Sequence, residues 1–242
     1  MHTRAWATTW SILRLAAAGA VVAAVVGQLV LTVEVTLAAT TDYGSNVAVV
    51  ITNFFSFFTI LSNVGACVTL VIGAVLFFAR GRRDDVEPRW FAVLLVCVTT
   101  YMLVTGIVYN TLLRNIPLPQ GETLGWSNEL LHVFVPLFLL LDLLFAPRRR
   151  ALDFTAVWAV VAFPIVWVIY TLLRAPLVVN PRTGDLGWWP YPFLNWTTVP
   201  GGGWGVLGYV IVIALVIIAI GFFGIWVGRR RAGVRTEPVA QS

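Results

Sequence analysis

The chain alternates long apolar runs with short polar breaks. A helix needs about 20 predominantly apolar residues to cross a bilayer. Six stretches reach that length, at about 10–37, 54–79, 90–113, 126–146, 153–174 and 204–228. Charge or turn chemistry bounds them. Arg80-Gly81-Arg82-Arg83-Asp84-Asp85 closes the second stretch, Pro147-Arg148-Arg149-Arg150 the fourth and Arg229-Arg230-Arg231 the sixth. The pattern predicts an all-α integral membrane protein: one transmembrane domain over residues 1–242, a bundle of six helices, with 229–242 as a tail. The first run exceeds the roughly 7–15 apolar residues of a signal peptide, so it reads as a retained helix. No internal repeat is visible, and an inverted-repeat transporter is therefore unsupported.

Composition agrees. Of the 242 residues, 59% are hydrophobic and 11% charged, against about 25% charged in soluble domains. All 16 basic residues are arginine, which together with the abundant Ala and Val points to a high-GC bacterial genome. The net charge of +5 does not indicate nucleic-acid binding, because the arginines flank the apolar runs.

Positively charged loops stay in the cytoplasm. With the N-terminus inside, Arg4, Arg80, Arg82, Arg83, Arg89, Arg148, Arg149, Arg150, Arg229, Arg230, Arg231 and Arg235 lie on the inner side, and Arg14 in the inner turn of the first span. Only Arg114, Arg174 and Arg182 fall outside. Both termini are expected in the cytoplasm, in a multi-pass plasma-membrane protein surrounded by lipid. Trp10 and Trp90 fit an inner aromatic belt, Trp126 and Trp204 an outer one. Cys67 and Cys97 both lie inside spans, where they read as small packing residues rather than a disulfide or metal site.

Against this background one residue stands out. His132 lies in the fourth span and is the only histidine beyond the N-terminal tail. An ionisable group at membrane depth is costly and by default marks function. Thr59 on the second span lies at matching depth, on the order of 8–9 Å below the outer boundary at 1.5 Å per residue. Ser56, Thr59 and Asn63 share one helical stripe, with Ser62 close by. Asn128 lies one turn outward of His132, and Glu129 is within reach at i−3. Pro136 has no N–H for the His132 carbonyl and predicts a kink there. A membrane threonine usually bonds the carbonyl four residues back, here Phe55, and asparagines serve as glue between helices. On the residues alone, catalysis and glue are both open for this set. Asp142 lies about 10 residues inward of His132, too far along the helix to orient it. An outer loop, Ala175 to Gly203, carries Trp188-Trp189-Pro190-Tyr191-Pro192-Phe193-Leu194-Asn195-Trp196 and then three glycines. It reads either as an interfacial anchor or as a hinged lid over a lipid-facing site.

Three segments carry a family resemblance. Phe57-Phe58-Thr59-Ile60-Leu61-Ser62-Asn63 resembles the first conserved segment of the androgen-induced membrane protein family, six-helix threonine hydrolases that cleave fatty acid esters of hydroxy fatty acids. Trp126-Ser127-Asn128-Glu129-Leu130-Leu131-His132-Val133-Phe134-Val135-Pro136 resembles its second segment, and Tyr191-Pro192-Phe193-Leu194 a third. The resemblance implies a catalytic threonine at Thr59, a catalytic histidine at His132 and a long-chain lipid ester as substrate, with no cofactor or metal. In that scheme His132 takes the proton of Thr59, whose oxygen attacks the ester carbonyl. Asn63, Ser62 or Asn128 would donate to the oxyanion, Glu129 would be the nearest orienting acid, and Arg114 or Arg174 would hold a substrate carboxylate. The competing classes are a small-molecule or ion transporter, for which Thr99, Thr100 and Tyr101 are the mid-membrane polar residues, and a non-catalytic lipid-binding protein.

Overall fold

The computed structural model describes residues 4–79, 86–116 and 122–233; Arg80, Arg82, Arg83 and Arg235 lie outside them. The chain forms α1 (Arg4–Leu37), a short α2 (Val47–Phe54), α3 (Phe58–Ala79), α4 (Arg89–Leu113), α5 (Gly125–Phe145), α6 (Phe154–Leu177) and α7 (Gly203–Gly233). All but α2 are long and apolar enough to cross a membrane, so the protein is an all-α, multi-pass membrane bundle. Extended pairing among the described residues is confined to a single antiparallel bridge between Val179 and Leu186.

Three boundaries differ from the expectation. The second apolar run is not one helix from residue 54. It breaks at 55–57, between α2 and α3, where the chain changes direction. The last helix continues to Gly233, so the first residues of the expected tail are helical. The first helix also starts earlier, at Arg4.

The core is organised around α4, which packs against α3, α5, α6 and α7 and buries Phe91, Leu95 and Met102. Helices α1 and α3 pack along each other, and both bury small residues completely, Ala24 on one and Ala66 and Ala74 on the other. Small residues let membrane helices approach closely where apolar burial supplies little drive.

At the end of the bundle where α1 starts, charge is buried rather than exposed. Asp142, fully buried on α5, accepts from Arg14 Nε at 2.8 Å, from Arg149 and from Trp10 Nε1. Glu87 faces the same two arginines at 3.4 and 3.7 Å. Trp10, expected in an aromatic belt, is therefore an interior donor, whereas Trp90, Trp126 and Trp204 are exposed as a belt requires. The arginines in the last turns of α7 bind backbone carbonyls. Arg231 donates to the carbonyls of Leu143 and Ala146, both at 2.7 Å, and so caps the C-terminal end of α5, where helical carbonyls lack partners. Arg229 donates to Leu152 O at 3.1 Å.

Candidate active site

The site lies at the opposite end, and the break before α3 creates it. Thr59 falls in the first turn of α3, where no preceding helical turn offers a carbonyl four residues back. Its hydroxyl does not turn to Phe55. Instead Thr59 Oγ1 lies 3.3 Å from His132 Nε2 and 3.3 Å from the hydroxyl of Tyr191. The matched depth of Thr59 and His132 thus corresponds to a contact, because α3 and α5 face each other there.

His132 is held from several sides. Its Nδ1 lies 2.9 Å from the carbonyl of Asn128. A carbonyl only accepts, so Nδ1 carries the hydrogen in the neutral ring and Nε2 presents its lone pair to Thr59. The ring of Tyr109 stacks on the imidazole with centroids 3.9 Å apart. The Tyr109 hydroxyl is bonded in turn by the Asn128 side chain.

Where the sequence predicts a kink that frees the His132 carbonyl, the helix around His132 is a π turn over Leu130–Phe134, and that carbonyl is bonded. Val135 N donates to Leu130 O, and Pro136 has no hydrogen to donate, so nearby carbonyls lose their helical partners. Two asparagines from flanking helices take them. Asn63 Nδ2 on α3 donates to Leu131 O at 3.3 Å and to Thr59 O at 2.9 Å. Asn110 Nδ2 on α4 donates to His132 O at 3.3 Å and to Gly106 O at 2.7 Å. Gly106 makes this crossing possible, since a β-carbon there would come within 3.1 Å of Pro136 and 3.2 Å of His132 O.

The remaining expected residues have other duties. Ser62 Oγ donates to Phe58 O at 2.8 Å and meets Thr105 Oγ1 at 3.1 Å. Ser56 lies in the break, off the α3 stripe, and pairs with the Tyr170 hydroxyl at 3.0 Å. Glu129 does not orient His132; it forms a two-pronged pair with Arg114 at 2.9 and 3.0 Å. Arg114 also donates to Asn110 Oδ1 at 2.9 Å. Arg174 donates to Asn53 Oδ1 at 2.7 Å and stacks over Trp188. Both arginines expected at a substrate carboxylate are thus committed to protein partners. Asp142 belongs to the charged cluster at the far end.

The aromatic loop folds inward. Trp188, Tyr191 and Leu194 are buried, and Trp188 packs edge-on against Phe57 at 5.4 Å. In the glycine run that closes it, Gly201 and Gly202 adopt φ of +82° and +56°, a turn conformation open to glycine and costly for other residues. Of the residues at the site, Tyr191, Tyr109 and Asn110 went unassigned a role by residue-level reading; Tyr191 had a signal in the third family-like segment, the other two had none.

Thr59 and Tyr191 also line a cavity of about 350 Å³. Its wall is almost wholly apolar, formed by the start of α3, by α4, α6 and α7 and by the aromatic loop, with Phe58, Trp158, Ile213 and Ile217 among the lining residues. On α7 the lining runs from Val210 to Phe222, about 18 Å of helix at 1.5 Å per residue. An alcohol therefore lines a long apolar groove, and the imidazole that it contacts lies behind it. No protein-family model matches the chain, and neither a curated protein nor a solved structure shows significant similarity to it.

Proposed function

We propose that the protein is an intramembrane hydrolase of long-chain lipid esters, of the fatty acid ester of hydroxy fatty acid type, with Thr59 as nucleophile and His132 as base. The observation that carries this reading is the Thr59–His132 contact beside an apolar groove in which Thr59 itself is a lining residue. With the termini in the cytoplasm, as the arginine distribution favours, the pair lies in the outer half of the bilayer. An ester in the outer leaflet would lay one chain in the groove and bring its carbonyl to Thr59.

The chemistry follows from the tautomer. Nε2 accepts the Thr59 proton as Oγ1 forms a bond to the carbonyl carbon. The Asn128 carbonyl, bonded to Nδ1–H, stabilises the imidazolium that results. The imidazolium then gives its proton to the departing alkoxide, leaving an acyl-threonine. Water, deprotonated by the same nitrogen, releases the acid. The β-branch of Thr59 restricts χ1 and keeps its oxygen aimed.

Of the mid-membrane residues on which a transporter reading would draw, Tyr101 donates to Val160 O at 3.0 Å and Thr100 to Val96 O at 2.9 Å, both inside the packed core, and the buried Thr99 hydroxyl has no partner among the described residues.

The test uses purified full-length protein in detergent and a long-chain acyl ester of a hydroxy fatty acid. Wild type is expected to turn it over and to be labelled at Thr59 by a fluorophosphonate, with the adduct located by mass spectrometry. Thr59→Ala is expected to lose both activities, and His132→Ala to lose turnover by at least the 10²-fold typical of a general base. Hydrolysis by both variants at the wild-type rate rules the mechanism out.

A further inference from the structure

An ester attacked by Thr59 develops negative charge on its carbonyl oxygen, and a donor must meet it. The three side chains expected in that role are committed elsewhere. Asn63 Nδ2 spans two backbone carbonyls, Ser62 donates within its own helix, and the amide of Asn128 serves the Tyr109 hydroxyl. We infer that the hydroxyl of Tyr191 is the oxyanion donor of this site, a role that rests on the ester-hydrolase reading and adds a third catalytic residue to it.

The direction of the hydrogen bonds carries the inference. Thr59 N–H, a first-turn amide of α3, donates to Tyr191 Oη at 3.3 Å. With that lone pair occupied, the tyrosine hydrogen is free to point at Thr59 Oγ1, 3.3 Å away. Thr59 then directs its own hydrogen to His132 Nε2, and His132 Nδ1–H donates to Asn128 O. One consistent polarity runs from the α3 amide to the Asn128 carbonyl. The tyrosine ring is clamped: Phe193 stacks on it at 5.3 Å, Phe57 meets it edge-on at 5.7 Å, and Trp167 lies at 5.9 Å. With the ring held in place, only the hydroxyl hydrogen has to turn as charge develops. Burial pushes the Tyr191 hydroxyl above its ordinary range, which keeps it protonated and able to donate at neutral pH.

In the attack step the Thr59 proton passes to His132 Nε2, the Oγ1–carbon bond forms, and the carbonyl π pair moves onto oxygen. Tyr191 turns its hydrogen from Oγ1, whose lone pair is now in the new bond, to that oxygen, and keeps its proton throughout. On collapse the C=O bond re-forms, the carbon–alkoxy bond breaks, and the alkoxide takes the proton from His132.

Tyr191→Phe keeps the ring and removes only the donor. On the full-length protein in detergent, with a long-chain acyl ester of a hydroxy fatty acid, kcat is expected to fall about 10²–10³-fold, as for loss of one oxyanion donor, with KM nearly unchanged. A long-chain trifluoromethyl ketone, which adds to a nucleophile to form an oxyanion, should bind more weakly by a similar factor. The corresponding non-reactive ether should bind as to wild type, because the donor acts on developing charge and not on the ground state. Wild-type kcat and ketone affinity in Tyr191→Phe overturn the proposal. So does an equal loss of ether binding, which marks a purely structural hydroxyl. Thr59→Ala is measured alongside. If it hydrolyses the ester like wild type, the nucleophile reading itself fails and takes this inference with it; if only Tyr191→Phe is silent, the nucleophile reading stands.

Discussion

At the scale of single residues, the site shows how polar side chains in a membrane span divide into chemistry and support. His132 engages both ring nitrogens, one on Thr59 and one on the Asn128 carbonyl. Asn63 engages its amide on the Leu131 carbonyl in the π turn and on the Thr59 carbonyl of its own helix. Glue and catalysis, which the residue types alone left open, are thus separate jobs of adjacent residues. Asn63 is fully buried, so replacing it with leucine of similar volume strands the Leu131 carbonyl. We expect Asn63→Leu to cost about 1 kcal/mol, in the range of net hydrogen bonds inside proteins and membrane bundles. A lower midpoint in a thermal melt monitored in detergent would register it. A melt identical to wild type would mean that the carbonyl needs no donor.

At the scale of elements, two irregularities build the site. The break between α2 and α3 frees the Thr59 hydroxyl from its own helix, and the π turn in α5 carries His132 with its ring facing α3. Pro136 underlies the second. In Pro136→Ala a backbone N–H returns, and the His132 carbonyl can recover its partner four residues on. The π turn then loses its reason, and regular α geometry would swing His132 about the helix axis. We expect hydrolysis to drop at least 10-fold, the cost of about 1.4 kcal/mol of misplacement in the transition state, while the melting temperature holds or rises. Full activity in a stable Pro136→Ala protein would show that the turn is not what aims the ring.

At the scale of the whole molecule, the bundle separates two polar regions. Near one end Thr59 and Tyr191 line an apolar groove, with His132 behind Thr59. At the other, Arg14, Arg149, Asp142 and Glu87 form a buried cluster that ties α1, α5 and the segment before α4. That cluster is balanced, two positive side chains against two acidic ones. Removing one partner leaves a buried charge without compensation, which typically costs about 3–5 kcal/mol. Asp142→Leu is therefore expected to destabilise the protein strongly. Whatever folds should keep its activity per molecule, because the site is formed by the other ends of α3 and α5. Active-site titration with a fluorophosphonate beside a stability measurement separates the two effects. Lost activity in correctly folded, fully titrating protein would reveal coupling between the ends.

Much of this molecule was legible in the chain. The six spans were, because apolar length is a local property and the bilayer sets the length required. The common depth of Thr59 and His132 was legible too, since rise per residue along a helix is constant. That Pro136 disturbs its helix was legible, because a missing N–H acts within one turn, but the form of the disturbance, a π turn with its carbonyls taken by Asn63 and Asn110, was not. What the sequence alone did not determine was rotation about each helix axis and choice of neighbour. Those decide that α3 faces α5, that Trp10 turns inward to Asp142, that Arg114 pairs with Glu129 and that Tyr191 reaches Thr59 from 132 residues away. They depend on how all the side chains pack together, and only the tertiary structure holds that information.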